Sequence, residues 1–241
     1  MTMTRKTLII GGASGIGFAV ARALAARGDS LVIAGRSAQK LDAARRSLAT
    51  GGGSIETAAL DISRDAEVAA FAGRLGAVDN IIVTAGSQAP GGALAELDLD
   101  AARQAFDTKF WGSINAARRL SGNIAPRGTL TLTSGFLARR AVAGTLVKTT
   151  MNAALESAVK VLAKELSPLR INAVSPGLTD TEAYAGMAPA AREKMLNAAA
   201  ETLPVRAFGR AEDIARGYLF IIDNPFVTGS VVDIEGGALL G

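Results

Sequence analysis

Short hydrophobic runs alternate along the chain with longer, alanine-rich amphipathic stretches. Several of the short runs are continuous rather than alternating, as in Leu8-Ile9-Ile10 and Ile81-Ile82-Val83. Continuous runs of this length are typical of central parallel strands that are covered on both faces. The pattern predicts strands at residues 6–10, 30–34, 54–60, 80–84, 128–133, 170–175 and 230–233.

The stretches between these runs have the spacing of amphipathic helices. They predict helices at about 16–27, 39–49, 65–75, 101–120, 150–166 and 211–222. Each is long enough for a right-handed crossover between parallel strands. Residues 51–53 form a glycine turn, and no repeat or linker divides the chain. We therefore predict an α/β fold in which residues 1–241 form one domain, a doubly wound parallel sheet of the Rossmann type with helices on both faces.

Composition narrows the chemistry that the chain can perform. The sequence of 241 residues contains no histidine and no cysteine. Imidazole bases, histidine-ligated metals, disulfides and thiol chemistry are therefore excluded, and we expect no metal site. Acid–base work must come from lysine, tyrosine, serine, aspartate or glutamate.

Charge and hydropathy argue against nucleic-acid and membrane partners. The net charge is +4, and the basic residues are scattered along predicted helices, which favours a solvated surface over nucleic-acid binding. No apolar run reaches the roughly 18–20 residues that span a bilayer. The N-terminus enters a strand almost directly, without a signal segment, so we expect a cytoplasmic protein.

A glycine-rich turn between the first predicted strand and the first predicted helix indicates a dinucleotide site. Residues 11–17 read GGASGIG. Glycines at such a join let backbone N–H groups approach a pyrophosphate and let the helix pack closely on the sheet. The alternative is a tight turn without a ligand.

This turn and several later motifs resemble those of the classical short-chain dehydrogenase/reductase family. The later motifs are Asp61-Ile62, Thr84-Ala85-Gly86, 162–166 (LAKEL), 172–177 (NAVSPG), 226–229 (FVTG) and 233–237 (DIEGG). All of them stand in the family's order, and the likeness runs from residue 8 to residue 237. The resemblance implies the family's fold and chemistry on a small-molecule carbonyl or alcohol substrate with a nicotinamide cofactor.

The end of the second predicted strand bears on the choice of cofactor. An NAD enzyme usually places an acid there for the ribose hydroxyls, whereas here Gly35 is followed by Arg36 and Ser37. A guanidinium binds a phosphate bidentately, so the resemblance favours NADP(H) over NAD(H). The alternatives are that Arg36 caps a solvated turn and that Asp61 is an ordinary turn or helix-capping residue. The cofactor-binding residues implied are Gly11, Ser14, Gly15, Ile16, Gly17, Arg36, Ser37, Asp61, Ile62, Ala85, Gly86, Pro176, Gly177, Thr179 and Thr181.

The family's catalytic positions are mostly replaced in this chain. Relatives use an asparagine, a serine, a tyrosine that moves the substrate proton and a lysine that lowers the pKa of that tyrosine. Aligned on the motifs, these positions hold Lys109, Ser134, Lys148 and Asn152, in that order. An amide and an ammonium have thus exchanged helices. The alternative for Ser134 is a plain hydroxyl at the end of a strand.

A pair of lysines suggests a different proton route. Lys148 and Asn152 stand four residues apart and therefore lie on one face of a helix. A second lysine close to Lys109 would lower the pKa of an ammonium through like-charge repulsion and desolvation, which suits it to donate a proton to a carbonyl. The alternative for Lys148 is a solvent-facing side chain at a helix start, so Lys109 is the stronger candidate.

Residues 178–204 are predicted to form a substrate lid. Met187, Met195 and Leu196 would give it an apolar face. Tyr184 is interpreted as lid packing rather than as a substitute acid, and Tyr218 as core or interface packing. In relatives the fourth and fifth helices pair across a two-fold axis, so the resemblance implies a homodimer or homotetramer.

Two functions remain open at this point. The first is an NADP(H)-dependent oxidoreductase that acts on a carbonyl or alcohol by an altered proton route. The second is an NADP(H)-binding protein without turnover, such as a nucleotide sensor or an assembly partner. Ser134 and the lid favour the enzyme, while the missing tyrosine and lysine disfavour it.

Overall fold

Nine strands build the sheets of the protein, whose computed structural model describes residues 4–48, 52–86 and 89–240. The strands are β1 (Lys6–Ile10), β2 (Ser30–Gly35), β3 (Ile55–Ala59), β4 (Val78–Val83), β5 (Ile124–Thr133), β6 (Arg170–Pro176), β7 (Thr179–Asp180), β8 (Gly209–Arg210) and β9 (Val231–Ile234). Seven of them form one parallel sheet in the order β3-β2-β1-β4-β5-β6-β9. The short strands β7 and β8 pair with each other in parallel.

In the part of the chain that the structure describes, eight α-helices connect and cover these strands. They are α1 (Gly15–Ala26), α2 (Ala38–Ser47), α3 (Asp65–Leu75), α4 (Leu99–Phe106), α5 (Gly112–Leu120), α6 (Leu146–Glu165), α7 (Pro189–Thr202) and α8 (Ala211–Asp223). A π-helical turn, Asp107–Trp111, joins α4 to α5. Helices α3, α5 and α6 pack on one face of the main sheet, and α1, α2 and α8 pack on the other.

The hydrophobic runs of the sequence are continuous because the sheet is buried on both faces. In β1, Leu8 and Ile10 belong to the apolar cluster under α3, α5 and α6, while Ile9 belongs to the cluster under α1, α2 and α8. All three side chains are at most 1% exposed. A strand whose neighbouring residues point to two different cores has no solvent-facing side, so the polar residues of an alternating pattern are absent.

The predicted α/β fold, a doubly wound parallel sheet with helices on both faces, is confirmed. The bounds of β1 and α3 match the prediction, whereas β5 begins earlier, at Ile124, and α6 begins at Leu146 instead of residue 150. The single helix predicted at 101–120 is interrupted by the π-helical turn. Helix α7 was not predicted as a helix. The predicted end of the second helix at Ala49 and the turn residue Gly51 lie outside the described residues.

The strand order of the main sheet reverses at β1, which creates a crevice at the carboxyl ends of the central strands. The chain runs from β1 to β2 on one side, and β4 lies on the other side of β1. Ligands of doubly wound folds bind at such a reversal, outside the carboxyl ends of the strands. Within the described residues, no helix is long and apolar enough to cross a membrane, and no acidic cluster has the form of a metal site.

Candidate active site

The glycine turn between β1 and α1 is packed so tightly that side chains cannot be added to it. A methyl group at Gly11, whose φ is +93°, would approach Thr84 Oγ1 to 2.6 Å and Ala85 N to 2.7 Å. At Gly12 it would approach Ile33 Cγ2 to 2.9 Å. The turn thus lies directly against the residues that follow β4. This is the cradle that a dinucleotide pyrophosphate requires.

The first turn of α1 lacks an anionic group of its own. Ser14 occupies the N-cap position but its side chain makes no capping hydrogen bond, and the first turn contains no acidic residue. The N–H of Gly15 instead donates to Glu182 Oε2 over 2.8 Å. A carboxylate from a distant segment therefore lies where the positive end of the helix dipole favours an anion. Ile16, two residues on from Ser14, packs against the apolar cluster under α1.

The carboxyl end of β2 is open, as a site for a 2′-phosphate requires. A methyl group at Gly35 would meet no atom within 4 Å. Arg36 and Ser37 follow it and are both exposed. Ser37 caps α2, because its Oγ accepts a hydrogen bond from Lys40 N over 3.3 Å. Its hydroxyl hydrogen is left to donate to a ligand.

Asp61 and Ile62 lie after β3, in the positions that the resemblance assigns to adenine. The Asp61 carboxylate accepts hydrogen bonds from Ser63 N (3.0 Å) and Ser63 Oγ (2.7 Å), which is the turn-forming role. Desolvation acts to raise the pKa of Asp61, but these hydrogen bonds and the charges of Arg36 and Arg64 hold it below its ordinary value. Ile62 is buried and packs against Gly112 of α5.

The turn after β4 brings the glycine turn and Lys109 together. Ala85 N donates to Ile10 O at the end of β1 over 3.1 Å. A methyl group at Gly86 would lie 3.8 Å from Cδ of Lys109. Since Gly86 immediately follows Ala85, the side chain of Lys109 lies beside the crevice where the resemblance puts the nicotinamide ribose.

The segment after β6 closes the crevice from the other side. Gly177 N donates to Ile234 O, and a methyl group at Gly177 would approach the Cα of Glu235 to 2.6 Å. The chain at Pro176 and Gly177 is therefore in direct contact with the end of β9. Thr179 is buried, and its hydroxyl donates to Gly177 O over 2.9 Å. Thr181 Cβ would lie 3.5 Å from a methyl group at Gly15. Of these four residues, Thr181 is thus the one that meets the glycine turn.

Lys109 and Asn152, which stand far apart in the sequence, are in direct contact. Lys109 Nζ donates to Asn152 Oδ1 over 2.6 Å and to the backbone oxygen of Ser134 over 2.9 Å. Asn152, on α6, is 6% exposed, and its amide lies against Gly135, where a methyl group would approach Nδ2 to 2.9 Å. The ammonium and the amide that exchanged helices in the sequence therefore form one hydrogen-bonded pair.

The electrostatic setting of this pair lowers the pKa of Lys109. Burial, and then the charge of Lys148, lower the pKa of Lys109 to about 8 from its ordinary value of 10.5. Lys148 lies in the first turn of α6 and its side chain is exposed. The side chain of Lys148 thus faces solvent, as the alternative interpretation expected. Its charge nevertheless contributes to the lowered pKa of Lys109.

The π-helical turn carries Lys109 beside the crevice. Its hydrogen bonds close one residue further along the chain than those of an α-helix. Ser113 Oγ donates to Lys109 O over 2.6 Å, and a methyl group at Gly112 would approach Ile62 Cγ1 to 2.7 Å. The small residue at 112 thus lets the turn lie close to the segment after β3.

The hydroxyl of Ser134 donates to a buried carboxylate that is paired with a partly exposed arginine. Ser134 is 3% exposed, and its Oγ donates to Glu156 Oε1 over 3.0 Å. Arg139 Nε lies 3.0 Å from Glu156 Oε2, and the same guanidinium pairs with Asp233 in β9. Ser134 therefore holds Lys109 through its backbone oxygen, while its side chain anchors the strand end to α6.

Neither tyrosine is hydrogen-bonded to this group. Tyr218 is fully buried in α8, and its hydroxyl shares a 2.6 Å hydrogen bond with Thr133 Oγ1, which confirms its prediction as a core residue. Tyr184 lies in a 3₁₀ turn, Glu182–Tyr184, between β7 and α7. Burial and the charge of Asp180 raise the pKa of Tyr184, so it stays protonated at neutral pH.

Three residues that the sequence reasoning missed take part in the site. They are Glu182, on the glycine turn, Gly135, against Asn152, and Glu156, which accepts from Ser134. Glu156 follows Asn152 by four residues and therefore lies on the same face of the helix, so this spacing could have identified it from the sequence. Glu182 and Gly135 carried no comparable signal, because their contacts depend on how distant segments fold together.

Comparisons with known proteins agree on one family. A family model described as enoyl-(acyl carrier protein) reductase matches residues 11–238. The short-chain dehydrogenase/reductase ucsE of Acremonium sp. is 30% identical over 252 residues, which cover 98% of this chain and 96% of that protein.

Solved structures of similar proteins match along the whole chain. A small-chain dehydrogenase in complex with NADPH is 41% identical with a TM-score of 0.84, covering 99% of this chain and 100% of that one. The MalC reductase/Diels-Alderase from Malbranchea aurantiaca is 27% identical with a TM-score of 0.91, covering 99% of this chain and 97% of that one.

Proposed function

Given that the chain belongs to the short-chain dehydrogenase/reductase family, we propose that it is an NADP(H)-dependent oxidoreductase that interconverts a carbonyl and an alcohol. The observation that carries the proposal is the hydrogen bond from Lys109 Nζ to Asn152 Oδ1 beside the cofactor crevice. It gives the site a group that can transfer a proton although the family's tyrosine position holds Lys148.

NADP(H) fits the residues of the crevice better than NAD(H). The glycine turn at 11–17 and Thr181 would hold the pyrophosphate, and Ala85 and Gly86 would line the path to the nicotinamide. Arg36 and Ser37, beside the open space at Gly35, would hold the 2′-phosphate by charge and hydrogen bonding. The small-chain dehydrogenase that is 41% identical to this chain was crystallised with NADPH, which supports the same choice.

The bound cofactor supplies the hydride, and the protein's part is to position the substrate and move a proton. Lys109 donates two hydrogen bonds, to Asn152 Oδ1 and Ser134 O, and its third N–H remains for a substrate oxygen. During carbonyl reduction, Lys109 gives a proton to that oxygen, the alcohol forms, and the neutral amine takes a proton from solvent. In the reverse direction, the neutral amine accepts the hydroxyl proton.

Asn152 and Lys148 have separate roles in this scheme. Asn152 holds the ammonium in place through its oxygen, and its burial on α6 makes that oxygen a fixed acceptor. Burial first, and then the charge of Lys148, bring the pKa of Lys109 close to the working pH. A proton donor whose pKa is about 8 transfers its proton far more readily than an ordinary lysine does.

Three further features complete the proposal. The segment 178–204 acts as a substrate lid, because Thr181 and Glu182 lie at the glycine turn. The protein works in the cytoplasm. It forms a homodimer or homotetramer through α4, the π-helical turn, α5 and α6, and in this region Leu99, Trp111 and Val161 are each more than half exposed.

A second candidate function is an NADP(H)-binding protein without turnover. One observation favours it: the hydroxyl of Ser134 donates to Glu156 instead of being left for a substrate oxygen. This function uses the same crevice and requires no proton transfer by Lys109.

Steady-state turnover of NADPH with a panel of aldehydes and ketones separates the two candidates. We expect Lys109→Met to lower kcat/KM by about a hundredfold or more, a typical loss for a general acid, while NADPH binding measured by fluorescence stays within about twofold. Lys109→Arg keeps the charge but has a pKa far above the working range, so it should also be slow. Exposed Lys164 on α6 offers a matched control, Lys164→Met, that should behave like the wild type. NADPH binding without turnover in the wild type would establish the second candidate.

Substitution of Gly35 tests the cofactor preference. We expect Gly35→Asp to weaken NADPH binding by about tenfold or more, because a carboxylate there repels a 2′-phosphate, and to improve NADH binding through the ribose hydroxyls. The open space at Gly35 admits the new side chain without a clash. Gly35→Ala serves as the control and should leave the ratio of the two dissociation constants unchanged. A Gly35→Asp protein that still prefers NADPH as strongly as the wild type would contradict the assignment.

A further inference from the structure

A carboxylate of the protein itself lies on the proposed cofactor cradle. Glu182 Oε2 accepts a hydrogen bond from the N–H of Gly15 over 2.8 Å. Gly15 has a φ of +53°, and a methyl group there would lie 3.6 Å from the same carboxylate oxygen. Glu182 stands 167 residues further along the chain, so this contact joins the 178–204 segment to the start of α1.

The contact gives the N-terminus of α1 an anionic hydrogen-bond acceptor that the helix's own residues do not supply. The first turn of the helix has no acidic residue, and Ser14 does not cap it. The N–H groups of a first helical turn have no partner within the helix and attract an anion. Glu182 supplies that anion, in the same place and by the same N–H that a pyrophosphate would use.

The turn that carries Glu182 is held in this position by its own contacts. Arg192 of α7 donates to Asp180 Oδ1 over 2.9 Å and to Thr181 O over 3.3 Å. Thr181 in turn caps the 3₁₀ turn Glu182–Tyr184 by accepting from Ala183 N. The carboxylate is therefore presented to Gly15 by an anchored segment, which extends into β7 and its pairing with β8.

We propose that Glu182 is an internal latch that occupies the pyrophosphate position until the cofactor displaces it. The inference rests on the proposed function, since it takes the crevice to be a dinucleotide site. A carboxylate and a pyrophosphate cannot both accept from Gly15, and their charges repel. Entry of the cofactor thus expels Glu182 from Gly15 and breaks this tie between the 178–204 segment and α1, while Arg192 still anchors Asp180 and Thr181.

Cofactor titrations of a charge-neutral variant test the latch. We expect Glu182→Gln to bind NADPH about five- to tenfold more tightly than the wild type, because it removes one charge-assisted hydrogen bond that competes with the ligand. Adenosine 2′-monophosphate contains the 2′-phosphate but no pyrophosphate, and its dissociation constant should not change. Glu193→Gln, at an exposed carboxylate on α7, is the matched control and should bind both ligands like the wild type.

The outcomes separate failure of the latch from failure of the proposed function. An NADPH affinity of Glu182→Gln equal to or weaker than that of the wild type overturns the latch and leaves the proposed function standing. An equal gain for NADPH and adenosine 2′-monophosphate also overturns it, because the effect would then be one of net charge. If neither the wild type nor the variants bind NADPH, the crevice is not a dinucleotide site and both proposals fail.

Discussion

At the scale of single residues, the hydrogen bond from Lys109 Nζ to Asn152 Oδ1 joins two positions that are 43 residues apart. Aligned one at a time with the family, each position lacks the family's catalytic residue. Lys109 stands where the family has an asparagine, and Asn152 stands where the family has a lysine. In space they form a pair with the same two functional groups, reversed. In this chain the ammonium belongs to the π-helical turn and the amide belongs to α6. The titratable amine therefore approaches the crevice from the π-helical turn, whereas in the family the lysine position is the one on α6.

The lowered pKa of Lys109 predicts a pH dependence. Its ammonium is fully protonated well below pH 8 and loses its proton as the pH rises through about 8. Carbonyl reduction needs the protonated form, so we expect kcat/KM to be flat below this value and to fall about tenfold per pH unit above it. Alcohol oxidation needs the neutral amine and should rise over the same range to a plateau.

A variant at Lys148 sharpens this pH test. Lys148→Met removes the neighbouring positive charge, so the pKa of Lys109 should rise and the break in the profile should move to higher pH. Profiles of kcat/KM for the wild type, Lys148→Met and Lys109→Arg between pH 6 and 10 provide the measurement. A break that stays in place in Lys148→Met, or that persists in Lys109→Arg, would assign the titration to a different group.

At the scale of elements, the site depends on the contact between the π-helical turn and the end of β5. Lys109 reaches Ser134 O, Ser134 Oγ reaches Glu156 on α6, and Arg139 ties Glu156 to Asp233 of β9. This network fixes the backbone oxygen that holds the ammonium. A buried carboxylate is stable only when it is paired and hydrogen-bonded, and Glu156 has both kinds of partner.

Exchanging the two helix positions tests whether Lys109 and Asn152 act as a pair. We expect Lys109→Asn to lower the free energy of unfolding by about 1–3 kcal/mol through loss of charge-assisted hydrogen bonds. Asn152→Lys should lower it by about 2–4 kcal/mol, because it places a second ammonium beside Lys109. The double variant restores one ammonium and one amide, and should return to within about 1 kcal/mol of the wild type. Urea unfolding measures all four proteins, and a double variant whose loss equals the sum of the single losses would show that the two positions are independent.

At the scale of the whole molecule, several exposed apolar side chains lie in the region that the resemblance assigns to subunit pairing. Trp111 is 53% exposed at the end of the π-helical turn, and Leu99 and Val161 are 57% and 53% exposed on α4 and α6. Together with the side chains of Arg103 and Phe106, Leu99 and Trp111 line a shallow cavity. Large aromatic residues in such patches are typical of association surfaces.

Charge introduced into this patch tests the proposed homo-oligomer. We expect the wild type to have the mass of a dimer or tetramer in light scattering after size exclusion, and Trp111→Glu to shift it towards the monomer, since a buried unpaired carboxylate opposes association. Arg45→Glu changes the charge on exposed α2 and should keep the wild-type mass. A wild type that is monomeric at high concentration would rule out the oligomer.

The sequence by itself determined the fold, because local patterns specify it. The continuous runs in β1 and β4 require a sheet covered on both faces, and the glycines at 11 and 17 lie where an added side chain would clash with neighbouring atoms. The cofactor motifs also lie within single segments and could be recognised one at a time. Helix α7 escaped prediction since its apolar side is narrow, with Leu196 its one buried side chain.

Only the tertiary structure decided how the site is arranged. The pairing of Lys109 with Asn152, the turning of the Ser134 hydroxyl to Glu156 and the placing of Glu182 on Gly15 each join segments that are far apart in the chain. Hydrogen bonds and pKa shifts of this kind depend on distances of a few ångströms and on burial, which residue identity and spacing do not specify. The sequence thus indicated several of the groups near the crevice, and the folded chain determined which of them meet and brought Glu182, Gly135 and Glu156 to the site.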